Sequence, residues 1–232
     1  MSAASLPSLR RFALFALAAT AAAVASGAPA QAVHAGGCTG YAYAGLTSRR
    51  AADGITGRIT PVGAPSVAGG HVAAWLGVGG AGLGPGGSDE WLQVGISSFP
   101  DGTSSLYYEY AQPGSKPRYV KLAPVVSGRS YSVAVHELRG RHNVWRVWVG
   151  SKPVSAPLSL PGSHGAWAPT ATGESWDGGV GACNSYAYRF SGLRVASGAG
   201  DAWGVLGGHA WFADPGFRTV ARSSSGFVAT AG

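Results

Sequence analysis

The sequence predicts an all-β protein, built as a two-sheet antiparallel β-sandwich or jelly roll. Three observations support this fold class. Short segments in which apolar and polar residues alternate recur along the chain, as they do in half-buried strands. Turn-forming residues separate these segments, and the 232 residues include 38 Gly and 14 Pro. Long stretches with helical periodicity are absent beyond residue 32, so no layer of helices is expected.

Ten segments are predicted as strands from this alternation and from the turns beside them. They are 40–47, 55–60, 70–78, 90–97, 105–112, 117–122, 130–137, 143–149, 170–176 and 184–195. Many short antiparallel strands in a chain of this length fit a single sandwich domain.

The first 32 residues are predicted to be a secretory signal peptide. Arg10 and Arg11 precede an apolar run, and a small-residue cleavage site follows at Ala30-Gln31-Ala32. A charged start, a short apolar stretch and such a site are the pattern that export signals share. The mature protein is therefore expected to be secreted to an extracellular location, with no membrane association after the signal is cleaved.

The rest of the chain divides by composition. Residues 33–196 are expected to form the β-sandwich domain, and 197–232, rich in Gly, Ser and Ala, a loosely structured extension packed on it. The two cysteines, Cys38 and Cys183, are predicted to form a disulfide, as cysteine pairs in exported proteins commonly do. Two free thiols are the alternative.

The charge balance limits the classes of partner. The formal net charge is +7, but the basic residues are scattered rather than gathered in a run. A dedicated nucleic-acid surface is therefore not expected, and the chain is expected to be a monomer.

Cofactor and metal sites find little support in the sequence. Gly77, Gly79 and Gly82 give the spacing of a dinucleotide-binding loop, but Pro85 and further glycines follow where that site needs a helix. The six histidines show none of the close pairs that metal sites use, and no nucleophile elbow is present. No cofactor and no metal are expected, which leaves carboxylates and amides to carry any chemistry.

The segment EWLQVG at 90–95 raises the first candidate, Gln93. Leu92, Val94 and Ile96 are predicted to face the core, which places Trp91 and Gln93 on the opposite face. A Pro-Asp-Gly turn leads into LYYEYAQ, so Tyr107 and Glu109 are expected on the same face as Gln93. Glu109 and Glu174 both lie beside aromatic residues, where burial raises the pKa of a carboxyl and suits it to acid–base work.

The order of these motifs resembles the glutamic peptidases, or eqolisins. WLGVGG at 75–80 is similar to the family's Trp-x-Gly-Ile-Asp-Gly segment, LQVG at 92–95 to its Leu-Gln-x-Gly, and YYEY at 107–110 to a segment of the Tyr-Glu-Trp type. Glu174, ahead of YAYRFSGLRV, is the best match for the family's catalytic Glu. The resemblance covers roughly residues 40–196 and implies a sandwich of the concanavalin-like jelly roll type.

The resemblance also implies the roles of six residues in a secreted endopeptidase that works in acid on a polypeptide substrate. Gln93 and Glu174 match the catalytic pair, in which Glu174 activates water and Gln93 stabilises the oxyanion. The expected substrate-binding residues are Trp75, Trp91, Tyr107 and Glu109. One departure stands out, because Gly79 lies where the family has Asp.

Two other functions remain open at this point. A glycoside hydrolase on a similar sandwich would use Glu109 and Glu174 as its pair of carboxyls. A non-catalytic carbohydrate- or cell-wall-binding sandwich would use exposed tryptophans as stacking platforms, and the missing Asp at Gly79 is compatible with it.

Overall fold

The structure, a computed structural model, describes residues 40–177, 184–199 and 202–232. The predicted signal peptide at 1–32 and both cysteines, Cys38 and Cys183, lie outside the described residues. Export and the disulfide therefore stay predictions. Across the described ranges, no helix has the length and apolar character needed to cross a lipid bilayer.

The described residues form sixteen strands and a three-residue 3-10 turn at Pro85–Gly87. Each of the ten predicted strands overlaps an observed one. The strands are β1 (Tyr41–Ser48), β2 (Gly54–Pro61), β3 (His71–Gly80), β4 (Glu90–Ser98), β5 (Ser104–Ala111), β6 (Arg118–Pro124), β7 (Tyr131–Glu137), β8 (Val144–Val149), β9 (Lys152–Pro153), β10 (Leu158–Ser159), β11 (Thr170–Trp176), β12 (Tyr186–Ala196), β13 (Trp203–Val205), β14 (His209–Ala213), β15 (Phe217–Ser223) and β16 (Gly226–Ala231).

Two antiparallel sheets make up the architecture. The seven-stranded sheet has the order β14-β1-β11-β3-β4-β5-β6. The nine-stranded sheet has the order β10-β8-β7-β2-β12-β16-β15, with β13 paired to β12 and β9 to β8. This confirms the predicted all-β, two-sheet antiparallel β-sandwich. The glycine-rich segment after β3 leads into the short 3-10 turn and then β4, and not into the helix that a dinucleotide site requires.

The core lies between the inner faces of the two sheets. Leu92, Val94 and Ile96 of β4 are fully buried, as their alternation predicts. From the nine-stranded sheet, Trp145 and Phe190 are also fully buried. Because side chains along a strand alternate between its faces, the residues between these core positions must point outward.

The C-terminal residues are part of the sandwich and differ from the loose extension expected for 197–232. Strand β14 pairs with β1, where Ala213 lies opposite Ala44, and β16 pairs with β12, where Ala229 lies opposite Tyr188. Both sheets therefore depend on strands that follow residue 196.

A close approach of β3 and β4 explains the glycine at position 95. Gly95 lies opposite Trp75, and a β-carbon built on it would lie 2.0 Å from the carbonyl oxygen of Ala74. No side chain fits there without moving the backbone of β3, so glycine is required at this position for packing.

We expect Gly95→Ala to lower the stability of the protein by about 1–3 kcal/mol, the usual cost of overpacking a close contact. Gly63→Ala is the matched control, because a β-carbon at Gly63 meets nothing within 4 Å. Thermal unfolding of both variants measures the difference. Equal melting temperatures for the two variants would contradict the close approach of β3 and β4.

Candidate functional site

Five of the six residues expected to form a site lie together on the outer face of the seven-stranded sheet. Leu92 and Val94, the chain neighbours of Gln93, point into the core, so Gln93 points away from it. We call this surface the polar face and define it by Trp75, Gln93, Tyr107, Glu109 and Glu174.

Pairing of β4 with β5 brings three of these side chains together. Gln93 lies directly opposite Glu109, and Gly95 lies opposite Tyr107. Directly opposite residues in an antiparallel pair point to the same face, at a distance at which their side chains meet. The hairpin that the sequence predicts therefore forms, and it places Gln93, Tyr107 and Glu109 side by side.

Pairing of β11 with β3 adds the remaining two side chains. Glu174 lies opposite Ala73, and Ala73 is two residues before Trp75 on the same face of β3. Trp75 in turn lies opposite Gly95 of β4. Since Ala73 and Gly95 have little or no side chain, Glu174 and Trp75 can lie over the middle strands of the sheet.

The carboxylate of Glu174 is held by two side chains. The indole N–H of Trp75 donates to Oε2 at 2.7 Å, and the Nε2 atom of His71 lies 3.0 Å from Oε1. Glu174 is only 6% exposed, although it lies on an outer face. Both oxygens have a partner, so the carboxylate is fixed in orientation as a pre-organised acid or base must be.

The amide of Gln93 points toward the other two residues of the hairpin. Its Nε2 donates to the hydroxyl oxygen of Tyr107 at 3.0 Å and to Oε2 of Glu109 at 3.3 Å. Because the Tyr107 oxygen accepts this bond, its own hydrogen remains available to a further acceptor. Both N–H bonds of the Gln93 amide are thus used within the hairpin, the one to Glu109 being the longer, while the Tyr107 O–H is available to a further acceptor.

Burial and charge alter the protonation of the polar face. Burial raises the pKa of Glu109, and the nearby Glu174 carboxylate raises it further, while His71 opposes the shift. Burial, with Glu174 and Glu109 contributing, also raises the pKa of Tyr107 well above its ordinary value. Tyr107 is therefore a neutral hydroxyl in acid and at neutral pH, and Glu109 keeps its proton to a higher pH than an ordinary glutamate does.

A band of aromatic rings borders the polar face. Successive neighbours lie at ring-centre distances of 5.0–6.2 Å. Tyr41 and Tyr119 are 45% and 42% exposed, so parts of the band are open to solvent. We call it the aromatic band, and in order it comprises Tyr41, Trp176, His71, Phe99, Tyr119 and Tyr107.

Two of the expected substrate-binding tryptophans have different surroundings. Trp75 is bound to Glu174 through its indole N–H, so its first role is to hold that carboxylate. Trp91 points to the same side of the sheet as Gln93, but it lies farther along β4, opposite Gly79 and Ala111. The structure brings Trp75 into the polar face and leaves Trp91 at its margin.

Sequence reasoning missed His71, which directly contacts Glu174. A signal was present, because His71, Ala73 and Trp75 alternate on one face of β3. Extending the alternation backward from Trp75 would have placed His71 on the candidate site.

The glycine at position 79 has a structural cause. Gly79 has φ +81°, and a β-carbon on it would lie 2.3 Å from the carbonyl oxygen of Glu90. An L-residue at this position would be strained and would collide with β4. The aspartate of the similar family segment therefore does not fit this backbone.

One group of potential metal ligands lies away from the polar face. Among the described residues, the ligand atoms of Asp53, Glu137 and His164 lie within 4.8 Å of one another. Glu137 is fully buried. One of its oxygens accepts a hydrogen bond from the backbone N–H of Asn143, and the other lies 2.7 Å from Nδ1 of His164. The buried carboxylate is thus satisfied by a hydrogen bond and an ion pair, so the three residues fit a structural role.

Comparison with known proteins identifies the fold. Neither a family model nor a curated protein sequence matches this chain. Among solved structures, scytalido-glutamic peptidase with a transition state analog inhibitor is similar, with a TM-score of 0.58 and 15% identity. The similarity covers 83% of this chain and 98% of that one. A member of the eqolisin family of peptidases in complex with the tripeptide Ala-Ile-His gives a TM-score of 0.55 and 14% identity over the same shares. The chain therefore has the β-sandwich fold found in those peptidases.

The raised pKa of Glu109 predicts a specific effect of pH on stability. A carboxyl whose pKa is higher in the folded protein costs stability as the pH rises from the ordinary carboxyl value through the folded value. We therefore expect Glu109→Gln to raise the melting temperature at pH near 7 and to leave it unchanged well below the ordinary carboxyl range.

Asp101→Asn gives a control of opposite sign. Hydrogen bonds from the side chain and backbone of Thr103 lower the pKa of Asp101, so its contribution to stability is present above the ordinary carboxyl pKa and is lost as the pH falls. The variant should lose stability at neutral pH and not in strong acid. If Glu109→Gln behaved like Asp101→Asn across the pH range, the placement of Glu109 would be wrong.

Proposed function

We propose that this protein is an exported endopeptidase that hydrolyses peptide bonds in acidic conditions, with Glu174 and Gln93 as its catalytic pair. The observation that supports this most is their joint placement on the polar face, each oriented by a second residue of that face. Trp75 holds Glu174 at 2.7 Å, and Tyr107 accepts a hydrogen bond from Gln93 at 3.0 Å. Trp75 and Tyr107 lie on either side of Gly95, which is paired with both of them.

In the proposed reaction, Glu174 transfers one proton in both directions. As a carboxylate, it takes a proton from water while the water oxygen attacks the scissile carbonyl carbon. When the C–N bond breaks, Glu174 returns that proton to the departing amine. A single carboxyl serves first as base and then as acid, so an amide partner is sufficient and no protein nucleophile is required.

The second requirement is stabilisation of the negative charge that forms on the carbonyl oxygen. We assign this role to the Gln93 amide, with the Tyr107 hydroxyl as a second donor. The Gln93 N–H that donates to Glu109 at 3.3 Å would change partner to the oxyanion. The Tyr107 hydroxyl lies 3.0 Å from the same amide nitrogen, so both donors can reach one oxygen atom. Donors held in place before the reaction stabilise a developing oxyanion more effectively than mobile water does.

Glu109 supports the preference for acid. Its raised pKa means that it takes up a proton at a pH at which an ordinary glutamate is still charged. Protonation of Glu109 lowers the negative charge beside Gln93, where the oxyanion has to form. We therefore assign two roles to Glu109. Its Oε2 orients Gln93 by accepting a hydrogen bond from Nε2 at 3.3 Å, and its protonation sets the charge around that amide.

The wider setting of the proposal comes from the sequence. The signal-peptide pattern at 1–32 supports export, and the scattered basic residues support a polypeptide rather than a nucleic acid as substrate. The aromatic band, which is partly open to solvent, offers apolar surface to side chains of an extended peptide. We propose that the protein acts as a monomer without cofactor or metal.

A glycoside hydrolase is the second candidate. Glu109 and Glu174 lie on the same face and interact electrostatically, and the pKa of Glu109 is raised, as that of a general acid is. Such an enzyme needs its carboxyls about 5–9.5 Å apart. Glu109→Gln decides between the candidates, since it would abolish glycoside hydrolysis but leave a peptidase with its Glu174–Gln93 pair.

We expect the mature wild-type chain to cleave denatured protein in acidic buffer. Gln93→Ala should lower kcat by about 10²–10³-fold, and Glu174→Gln should lower it by about 10⁴-fold, the upper range for general acid–base catalysis. Gln93→Ala removes one oxyanion donor, while Glu174→Gln removes the group that moves the proton. The assay follows the appearance of new amino termini over a range of pH.

Gln112→Ala and Asp89→Asn serve as controls. Gln112 is an amide bonded to the Ser159 carbonyl, and Asp89 is a carboxylate bonded to the Gly82 N–H, both in exposed contacts outside the polar face. Wild-type activity in Gln93→Ala or Glu174→Gln would overturn the proposed mechanism. Binding of a polysaccharide without hydrolysis of any substrate would point instead to the carbohydrate-binding alternative.

A further inference from the structure

His71 is bound to the proposed proton carrier. Its Nε2 atom lies 3.0 Å from Oε1 of Glu174, and the two side chains are 22% and 7% exposed. The reaction described above requires no histidine. A histidine at this distance must nevertheless affect the charge and orientation of the carboxylate.

The surroundings of His71 hold its ring in place. Trp176 lies at a ring-centre distance of 5.3 Å and Phe99 at 6.1 Å, on opposite sides in the order of the aromatic band. Tyr41 approaches edge-on at 6.5 Å. Three aromatic neighbours restrict the imidazole to one position, from which Nε2 points at Glu174.

The ionisable groups around His71 are two carboxyls and several tyrosines. Glu174 contacts it from β11, and Glu109 interacts with it electrostatically from β5. The tyrosines have raised pKa values and are neutral in acid and at neutral pH; they are Tyr41 and Tyr43 from β1, Tyr107 from β5 and Tyr119 from β6. The ring of His71 thus faces two carboxyls, of which it contacts Glu174 directly.

We propose that His71 is a positioning residue, whose ring N–H holds one oxygen of Glu174 in the orientation in which that carboxylate takes a proton from water. This inference rests on the proposed peptidase function. Together with Trp75, the Nε2–H of His71 fixes both carboxylate oxygens of Glu174. The remaining lone pairs are then directed at the water that Glu174 deprotonates.

The test compares His71→Gln and His71→Ala with the wild type in kcat and KM from acid to neutral pH. Glutamine keeps an N–H donor at this position, so His71→Gln should retain most of the wild-type kcat. Alanine has no donor, so His71→Ala should lose about 10–100-fold in kcat, the equivalent of one charge-assisted hydrogen bond, with KM little changed.

His142→Gln is the matched control, since His142 stacks on His164 at 3.9 Å, away from Glu174. It should leave kcat as in the wild type. A His71→Ala variant with full kcat, or a His71→Gln variant as slow as His71→Ala, would overturn the proposal.

A measurement without substrate separates this inference from the peptidase function. The hydrogen-bonded ring N–H of His71 should give a downfield, slowly exchanging proton resonance that disappears in Glu174→Gln and in His71→Gln. If the resonance is seen but no peptide is hydrolysed, the contact between His71 and Glu174 is supported and the peptidase function is rejected. If peptides are hydrolysed but the resonance is missing, the peptidase function is supported and the proposed role of His71 is rejected.

Discussion

The antiparallel register that joins β11 to β3 and β3 to β4 is the constraint on which the candidate site depends. It places Glu174 opposite Ala73 and Trp75 opposite Gly95. Because strand side chains alternate, a slip of one residue in β11 would turn Glu174 toward the core, and one in β3 would turn the buried Leu76 toward solvent. The buried residues between the two sheets therefore fix the register, and through it they position the site.

Burial on an outer face gives the site its electrostatic character. Glu174 is 6% exposed and Tyr107 is 2% exposed, yet neither faces the core. Large aromatic neighbours exclude water there, so each polar atom relies on another side chain for its hydrogen bond. In such surroundings fixed donors act strongly on a developing charge, and carboxyl pKa values move away from their ordinary range. The raised pKa of Glu109 is one result.

Local sequence was sufficient to predict the hairpin half of the site. The face that Gln93 occupies follows from its buried neighbours Leu92 and Val94. Its partner on the next strand, Glu109, follows from the Pro-Asp-Gly turn. The aromatic neighbours of Glu174 made it a candidate, but its pairing with Gln93 required the resemblance to a family, because no local pattern says that β11 lies beside β3. The two strands are adjacent in the sheet but distant in sequence, since β3 ends at Gly80 and β11 begins at Thr170.

The C-terminal strands and His71 were missed for different reasons. In residues 217–231 the many small residues conceal the alternation of apolar and polar side chains that marks a strand. Phe227 and Ala229 in this segment are nevertheless fully buried. Composition therefore hid strands that pairing with β12 stabilises. The spacing of the histidines does not mark His71 as a functional residue. The face of β3 that it shares with Trp75 does. Its contact with Glu174 depends on β11, which is distant in sequence.

The joint action of Glu174 and Gln93 on one peptide bond can be tested directly by a double-mutant cycle in kcat/KM. Gln93→Ala, Glu174→Gln and the double variant would be compared with the wild type on one peptide in acid. Groups that work as a unit show strongly non-additive losses, so we expect the double variant to be no slower than Glu174→Gln. Losses that add on a logarithmic scale, or a wild type without hydrolysis, would contradict a shared catalytic site.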